Sequence, residues 1–241
     1  MRLGSLGQAA AQRLGYEIHP HLPDRGPLAR RGKILREWGV SVVLDIGAAT
    51  GLYAAELRRV GYTGRIVSFE PLSDAFAELA AAAQDDPGWD CRRLALGAED
   101  GSAEINVSGT RDSSSFLEMG ERHVRGAPGS RYVGTEMVEV ARLDSIWDDI
   151  VRPGDRAMLK LDVQGFELEA LRGAERSLGD TVAVQAELSL VPVYEHGPLY
   201  QEVIAHLEAR GFRLAGLEPG FEDLRTGEVL QADGTFVRDP Q

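Results

Sequence analysis

Cysteine is nearly missing from this chain: Cys91 stands alone, which excludes an internal disulfide and suits a reducing, cytoplasmic setting. Its charged neighbours in a strand-like stretch mark it as an ordinary packed thiol. Long apolar runs are also lacking. None approaches the roughly 18 residues of a membrane span, and the N-terminus, with Arg2, Arg13 and scattered glycines, lacks the apolar core of a secretory signal. Basic residues are scarce against acids, 26 Lys and Arg to 38 Asp and Glu in 241 residues, for a net charge of -12. Nucleic-acid binders concentrate cations, so that balance speaks against a nucleic-acid partner. No internal repeat is visible, and 43% hydrophobic residues suffice for a core. The length fits one domain with a modest N-terminal extension: residues 1–40 as helical and loop extension, 41–241 as the main domain.

The most informative stretch is Val42-Val43-Leu44-Asp45-Ile46-Gly47-Ala48-Ala49-Thr50-Gly51. An apolar, partly β-branched run ends in an acid, glycines follow four apart, and a helical pattern begins at Leu52. That order reads as a buried strand, a tight turn and a helix, with backbone open to a ligand. The spacing D-x-G-x-x-x-G differs from the dinucleotide fingerprint G-x-G-x-x-G. An acid replaces the first glycine, which favours a cofactor with a cationic amino-acid end, S-adenosylmethionine (SAM), over a pyrophosphate. Gly64-Arg65-Ile66-Val67-Ser68-Phe69-Glu70-Pro71 is a second strand ending in a carboxylate. An acid there accepts both ribose hydroxyls of an adenosine in doubly wound folds. The candidate cofactor contacts are Asp45, Gly47, Ala48, Ala49, Gly51, Glu70, Pro71, Leu96 and Asp162.

The rest of the chain predicts alternating strands and helices, hence a parallel sheet covered on both faces. Residues 72–84 are helical, 89–96 a third strand, 103–108 a half-exposed strand, 137–143 a strand and 144–150 a short helix. A fourth core strand at 157–162 ends in Asp162, and Gly165 opens a helix over 166–178. A fifth strand over 181–188 carries Glu187. An amphipathic helix over 199–210, a strand over 211–217 and a hairpin-like tail over 226–237 complete the pattern. Residues 109–135 lack periodicity and read as a lid. They carry Arg111 and the substrate candidates Ser113, Ser114, Ser115 and His123, the last more simply a surface histidine. In the first forty residues a Pro/Gly-rich passage runs from His19 to Pro27. His19 and His21 read there as loop residues, not a metal pair, and the arm suits capping of the substrate side or formation of a homodimer.

Four pieces together resemble the FkbM-type family of SAM-dependent methyltransferases: Asp45 to Gly51, Phe69-Glu70-Pro71, Leu143-Asp144 before a short helix, and Lys160-Leu161-Asp162-Val163-Gln164-Gly165-Phe166-Glu167. Glu187, Gly211-Phe212 and the tail from Gln231 to Val237 support the likeness, which covers roughly residues 40–238. Gln164 departs from it, since many members are expected to have Glu there. The resemblance implies a Rossmann-like class I methyltransferase fold, with a seven-stranded sheet whose last strand is antiparallel. It also implies O-methylation of a small-molecule hydroxyl, such as that of a sugar or polyketide, with S-adenosylhomocysteine (SAH) as product.

In-line methyl transfer to oxygen needs alignment and a base. Asp162, Lys160 and Glu187 are the catalytic candidates. Lys160 is suited either to hold the acid ionised or, with its pKa depressed by burial, to act as base. Glu167 and Glu169 read as a solvated helix face. Mg²⁺ held by Asp162, Glu187 and a lid carboxylate is a rival that is not favoured, and no metal ligand is assigned. An NAD-linked oxidoreductase lacks its glycines here. A non-catalytic nucleotide-binding protein would tolerate loss of Asp162 or Lys160, and both are present.

Overall fold

The computed structural model describes residues 26–110 and 112–239. The histidines of the Pro/Gly-rich arm and Arg111 therefore lie outside the described residues. Elements in chain order are α1 (Pro27–Glu37), β1 (Val42–Ile46), α2 (Leu52–Arg59), β2 (Arg65–Phe69), α3 (Ser73–Ala83), β3 (Trp89–Arg92), β4 (Ala95–Leu96), β5 (Gly101–Ser108), α4 (Glu121–Gly126), β6 (Tyr132–Ala141), α5 (Leu143–Ile150), β7 (Ala157–Leu161), α6 (Glu167–Arg172), β8 (Thr181–Ser189), α7 (Tyr200–Glu208), β9 (Arg213–Pro219), β10 (Glu222–Asp223), β11 (Glu228–Val229) and β12 (Gln231–Val237).

Seven strands form one sheet in the order β3-β2-β1-β7-β8-β12-β9. Its pairs are parallel except those of β12, which runs antiparallel to both β8 and β9. The seven-stranded sheet with a reversed last strand is as expected. β1 and β7 are buried along their whole length, as central strands covered on two faces must be.

Strand periodicity of two divides the core. Val43, Ile66, Met158, Ala183 and Val237 face one side, with Ile34 and Leu35 of α1, Leu57 of α2 and Leu79 of α3. Leu44, Val67, Leu159, Val184 and Phe236 face the other, with Trp147 of α5, Leu171 of α6 and Leu207 of α7.

Three local expectations are corrected. The strand expected over 89–96 breaks after Arg92, and Ala95–Leu96 leaves the main sheet to pair with β6 in a second sheet ordered β4-β6-β5. That sheet interrupts the strand–helix alternation and packs Ile105 and Val138 onto Leu72 and Ala75. The 109–135 segment is not uniformly irregular, since it contains α4 and the start of β6. The helix expected over 166–178 ends at Arg172, and a 3₁₀ turn spans Ser177–Asp180.

Candidate active site

The same two-residue period places a polar row on the α1–α3 face of the sheet. Ser68, Asp45, Lys160, Gln185 and Thr235 stand in register across five neighbouring strands. At its centre Asp45 is fully buried. Its Oδ1 lies 3.3 Å from Lys160 Nζ, and its Oδ2 accepts from Ser68 Oγ at 3.3 Å. Ser68 in turn accepts from Trp89 Nε1 at 2.9 Å. Burial raises the Asp45 pKa, and Lys160 opposes the rise.

Lys160 donates to the Gly47 carbonyl at 3.2 Å and forms ion pairs with Asp45 Oδ1 at 3.3 Å and Asp162 Oδ2 at 3.5 Å. Burial alone would lower its pKa, but the carboxylates of Asp162 and Asp45 outweigh it and the net shift is upward. Lys160 is thus held charged, opposite to what a proton acceptor needs. Of its two expected roles, that of proton acceptor does not suit a lysine held charged, and its ammonium stands 3.5 Å from Asp162 Oδ2.

Beyond this row the strand ends splay around a crevice of about 470 Å³, lined by residues 46–50, Glu70, Pro71, Leu72, Leu94, Ala95, Leu96, Phe116, Lys160 and Asp162 among others. That volume is within the usual range for small-molecule sites, and carboxyl strand ends are where open α/β sheets bind ligands. Gly47 and Ala48 donate their N–H groups to the Phe69 carbonyl, tying the β1 turn to β2. Ala49, at φ +46, donates to Glu70 Oε2, and Leu72 donates to Glu70 Oε1, both at 2.9 Å. Glu70 is 6% exposed, and burial pushes its carboxyl up to about 7 against these two donors. It is therefore a structural clamp as well as a crevice wall.

The glycines act in a way the sequence did not suggest. Gly47 has φ +77, and a Cβ there would sit 1.9 Å from the Asp162 carbonyl, so glycine lets β1 and β7 converge. Gly51 packs toward Leu79 and Trp89 and is not among the crevice-lining residues; nor is Asp45, which acts through Lys160.

Among the substrate candidates, Ser114 lines the crevice, while the partly exposed Ser113 does not. Ser115 is buried and donates to the Gln164 carbonyl at 2.6 Å. His123 is not a surface residue: it is 2% exposed, wedged between the Tyr194 and Phe221 rings away from the crevice lining. Neither ring nitrogen has a hydrogen-bond partner, and burial lowers its pKa to about 4. Glu167 is not solvated either. It is 2% exposed, accepts from the N–H groups of Val163 and Gly165, and is raised by burial to about 7.

Glu187 lies on β8 beside Asp162 but is linked to it through Gln164, whose Nε2 donates to both. Burial first, then the charge of Asp162, holds Glu187 well above the usual carboxylate range. An amide N–H stands between the two acids, so this donor set does not fit a divalent cation. Crevice residues missed from the sequence include Arg31, Tyr53, Glu56, Asp112, Phe116, Gln185 and Asp233. Gln185 and Asp233 share the period-two face and could have been found that way. Arg31 stacks on Tyr53 at 4.6 Å and donates to Glu56 at 3.0 Å, and Tyr53 Oη donates to Gln185 Oε1 at 3.0 Å.

The sheet order with its reversed strand, and a crevice over the carboxyl ends flanked by a glycine turn and a strand-end acid, define a class I methyltransferase fold. A family model described as the Methyltransferase FkbM domain matches residues 45–214, and the chain belongs to that family. It is a SAM-dependent methyltransferase. No curated protein matches the sequence. Similar solved structures include an rRNA methylase from Streptococcus thermophilus, at 13% identity over 89% of this chain and 97% of that one, with TM-score 0.47. Aeropyrum pernix fibrillarin with natively bound SAM shares 15% identity over 95% of this chain and 73% of its own, with TM-score 0.46. The bifunctional kinase-methyltransferase WbdD shares 16% over 88% and 38%, with TM-score 0.48.

Proposed function

We propose that this enzyme transfers the SAM methyl group to a hydroxyl of an uncharged small molecule, such as a sugar or polyketide-type compound, without a metal ion. The observation that carries the reading is the charge of the crevice. Glu56, Glu70, Asp112, Asp162 and Asp233 line it against Arg31 and Lys160, and both cations are already engaged, with Glu56 and with Asp45 and Asp162. Such a surface attracts a sulfonium and, among the described residues, offers no free cation to a phosphate backbone.

When bound, SAM supplies an electrophilic methyl group on a positively charged sulfur. Glu70 would accept the ribose hydroxyls with the lone pairs left after Ala49 and Leu72 have donated. The turn at 47–50 and Pro71, Leu72 and Leu96 line the crevice and would wall in the nucleoside. Asp162, ion-paired with Lys160 at 3.5 Å, would take the acceptor hydroxyl's proton. Phe116, Leu94 and Val163 exclude water from that end.

Calorimetric titration tests the first half: SAM and SAH bind and NAD does not. SAH release in the presence of EDTA, followed across neutral polyols, polyketide alcohols and an rRNA fragment, tests the second. Turnover with RNA alone, or turnover restored only by Mg²⁺, overturns the acceptor class or the metal-free chemistry respectively.

A further inference from the structure

Gln164 sits in the turn between β7 and α6 at φ +54, a left-handed backbone that non-glycine residues adopt at a cost. The following Gly165, at φ +90, leaves no room for a side chain, because a Cβ would meet the Tyr194 ring at 2.9 Å. Every polar group of Gln164's side chain is used. Oε1 accepts from Tyr194 Oη at 2.6 Å, while Nε2 donates to Asp162 Oδ1 at 2.6 Å and to Glu187 Oε2 at 3.3 Å. The two acids call for a donor and so set which end of the amide faces them, and the Tyr194 hydroxyl, able to donate or accept, donates to the oxygen. Gln231 Nε2 gives Glu187 Oε2 a second bond at 2.6 Å.

Asp162 and Glu187 accept from the same amide nitrogen, while Lys160 pairs with Asp162. A neutral amide is therefore the group that links the two acids. Building on the methyl-transfer reading above, we propose that Gln164 is a positioning residue. Its amide spans Asp162 and Glu187 where a divalent cation would otherwise stand, and so aims Asp162 into the crevice. Without the amide, Asp162 keeps only Lys160, at 3.5 Å, and its Oδ1 loses the donor that holds it.

The affinity ratio of SAM to SAH reads out that placement, because the Asp162 charge attracts a sulfonium and is indifferent to a thioether. Calorimetry on wild type, Asp162→Asn, Gln164→Ala and the double variant is expected to show the ratio falling roughly fivefold or more in each single variant, the scale of opposite charges a few ångströms apart at a partly wet site. The double variant falls no further, since both changes remove one device. A general packing defect would weaken both ligands alike. Gln164→Asn tolerates the left-handed backbone but is too short to span both acids. It is expected to copy Gln164→Ala, and decides the matter if that variant does not fold.

A second arm uses Mn²⁺ and its six-line electron paramagnetic resonance signal. Gln164→Glu brings a third carboxylate to the other two, so it quenches the signal at concentrations where wild type leaves it unchanged. The inference is overturned if Asp162→Asn lowers the ratio while Gln164→Ala and Gln164→Asn do not, or if wild type takes up Mn²⁺ as tightly as Gln164→Glu. An unchanged ratio in Asp162→Asn instead removes Asp162 from the reacting end, and the underlying functional reading fails with it.

Discussion

Replacing Glu70 by Gln is expected to move stability and cofactor affinity in opposite directions. The carboxyl is 6% exposed and is pushed up to about 7 by burial, against the N–H groups of Ala49 and Leu72. An unfolded glutamate titrates near ~4.3. Between these values the folded protein binds the extra proton, so its stability falls as pH rises from about 4.3 to about 7. A gap of about 2.7 units at ~1.4 kcal/mol each amounts to on the order of 4 kcal/mol at this one group. Glutamine does not titrate and has nearly the same shape. Its amide nitrogen cannot accept one of the two backbone N–H groups, so at pH 5 the variant should be less stable in urea by about 1–3 kcal/mol. At pH 8 the lost titration outweighs that cost, and the variant should be more stable by roughly 1–3 kcal/mol, or about 2–12 °C in Tm for a chain of this size. Glu167, Glu187, Asp45 and Asp233 also have raised values, but they titrate in both proteins and cancel from the difference. Affinity for SAH at pH 8 should fall by roughly 1.5–3 kcal/mol, about 10- to 150-fold, because an ionised acceptor of the ribose hydroxyls is lost. A stability difference that is the same at pH 5 and pH 8 would refute burial as the cause of the shift. Unchanged SAH affinity in the folded variant would refute the ribose contact.

Two other outcomes follow from buried charge. Lys160→Met strands Asp45, which is fully buried and otherwise holds only the Ser68 hydroxyl, and is expected to cost roughly 3–5 kcal/mol in urea unfolding. Adding Asp45→Asn should restore most of that loss, and failure to do so would mean the pair is not what the lysine stabilises. His123 is neutral and unpartnered between two rings, so wild type loses stability as pH falls from about 6.5 toward about 4. His123→Phe should escape that loss and be the more stable protein at pH 4.5, by roughly 2.5 kcal/mol from the two pH units crossed. Melting curves at pH 4.5 and 7.5 with the same difference at both would rule this out.

The sequence by itself determined the sheet and the position of its crevice. Apolar runs ending in Asp45, Glu70 and Asp162 are constrained by burial on both faces, and such runs signal their identity locally. The pairing of Lys160 with Asp162 was legible for the same reason, since strand residues two apart share a face. What Lys160 does was not legible, because its charge state depends on Asp45, a neighbour supplied by the next strand. Tertiary structure alone decided that Gly47 makes room for the Asp162 carbonyl and that Gln164 reaches two acids and a tyrosine distant in sequence. It also turned Glu167 and His123 inward. Each of these is set by where the backbone turns after an element ends. Such turns follow from which surfaces meet, and no periodicity within a single segment encodes that meeting.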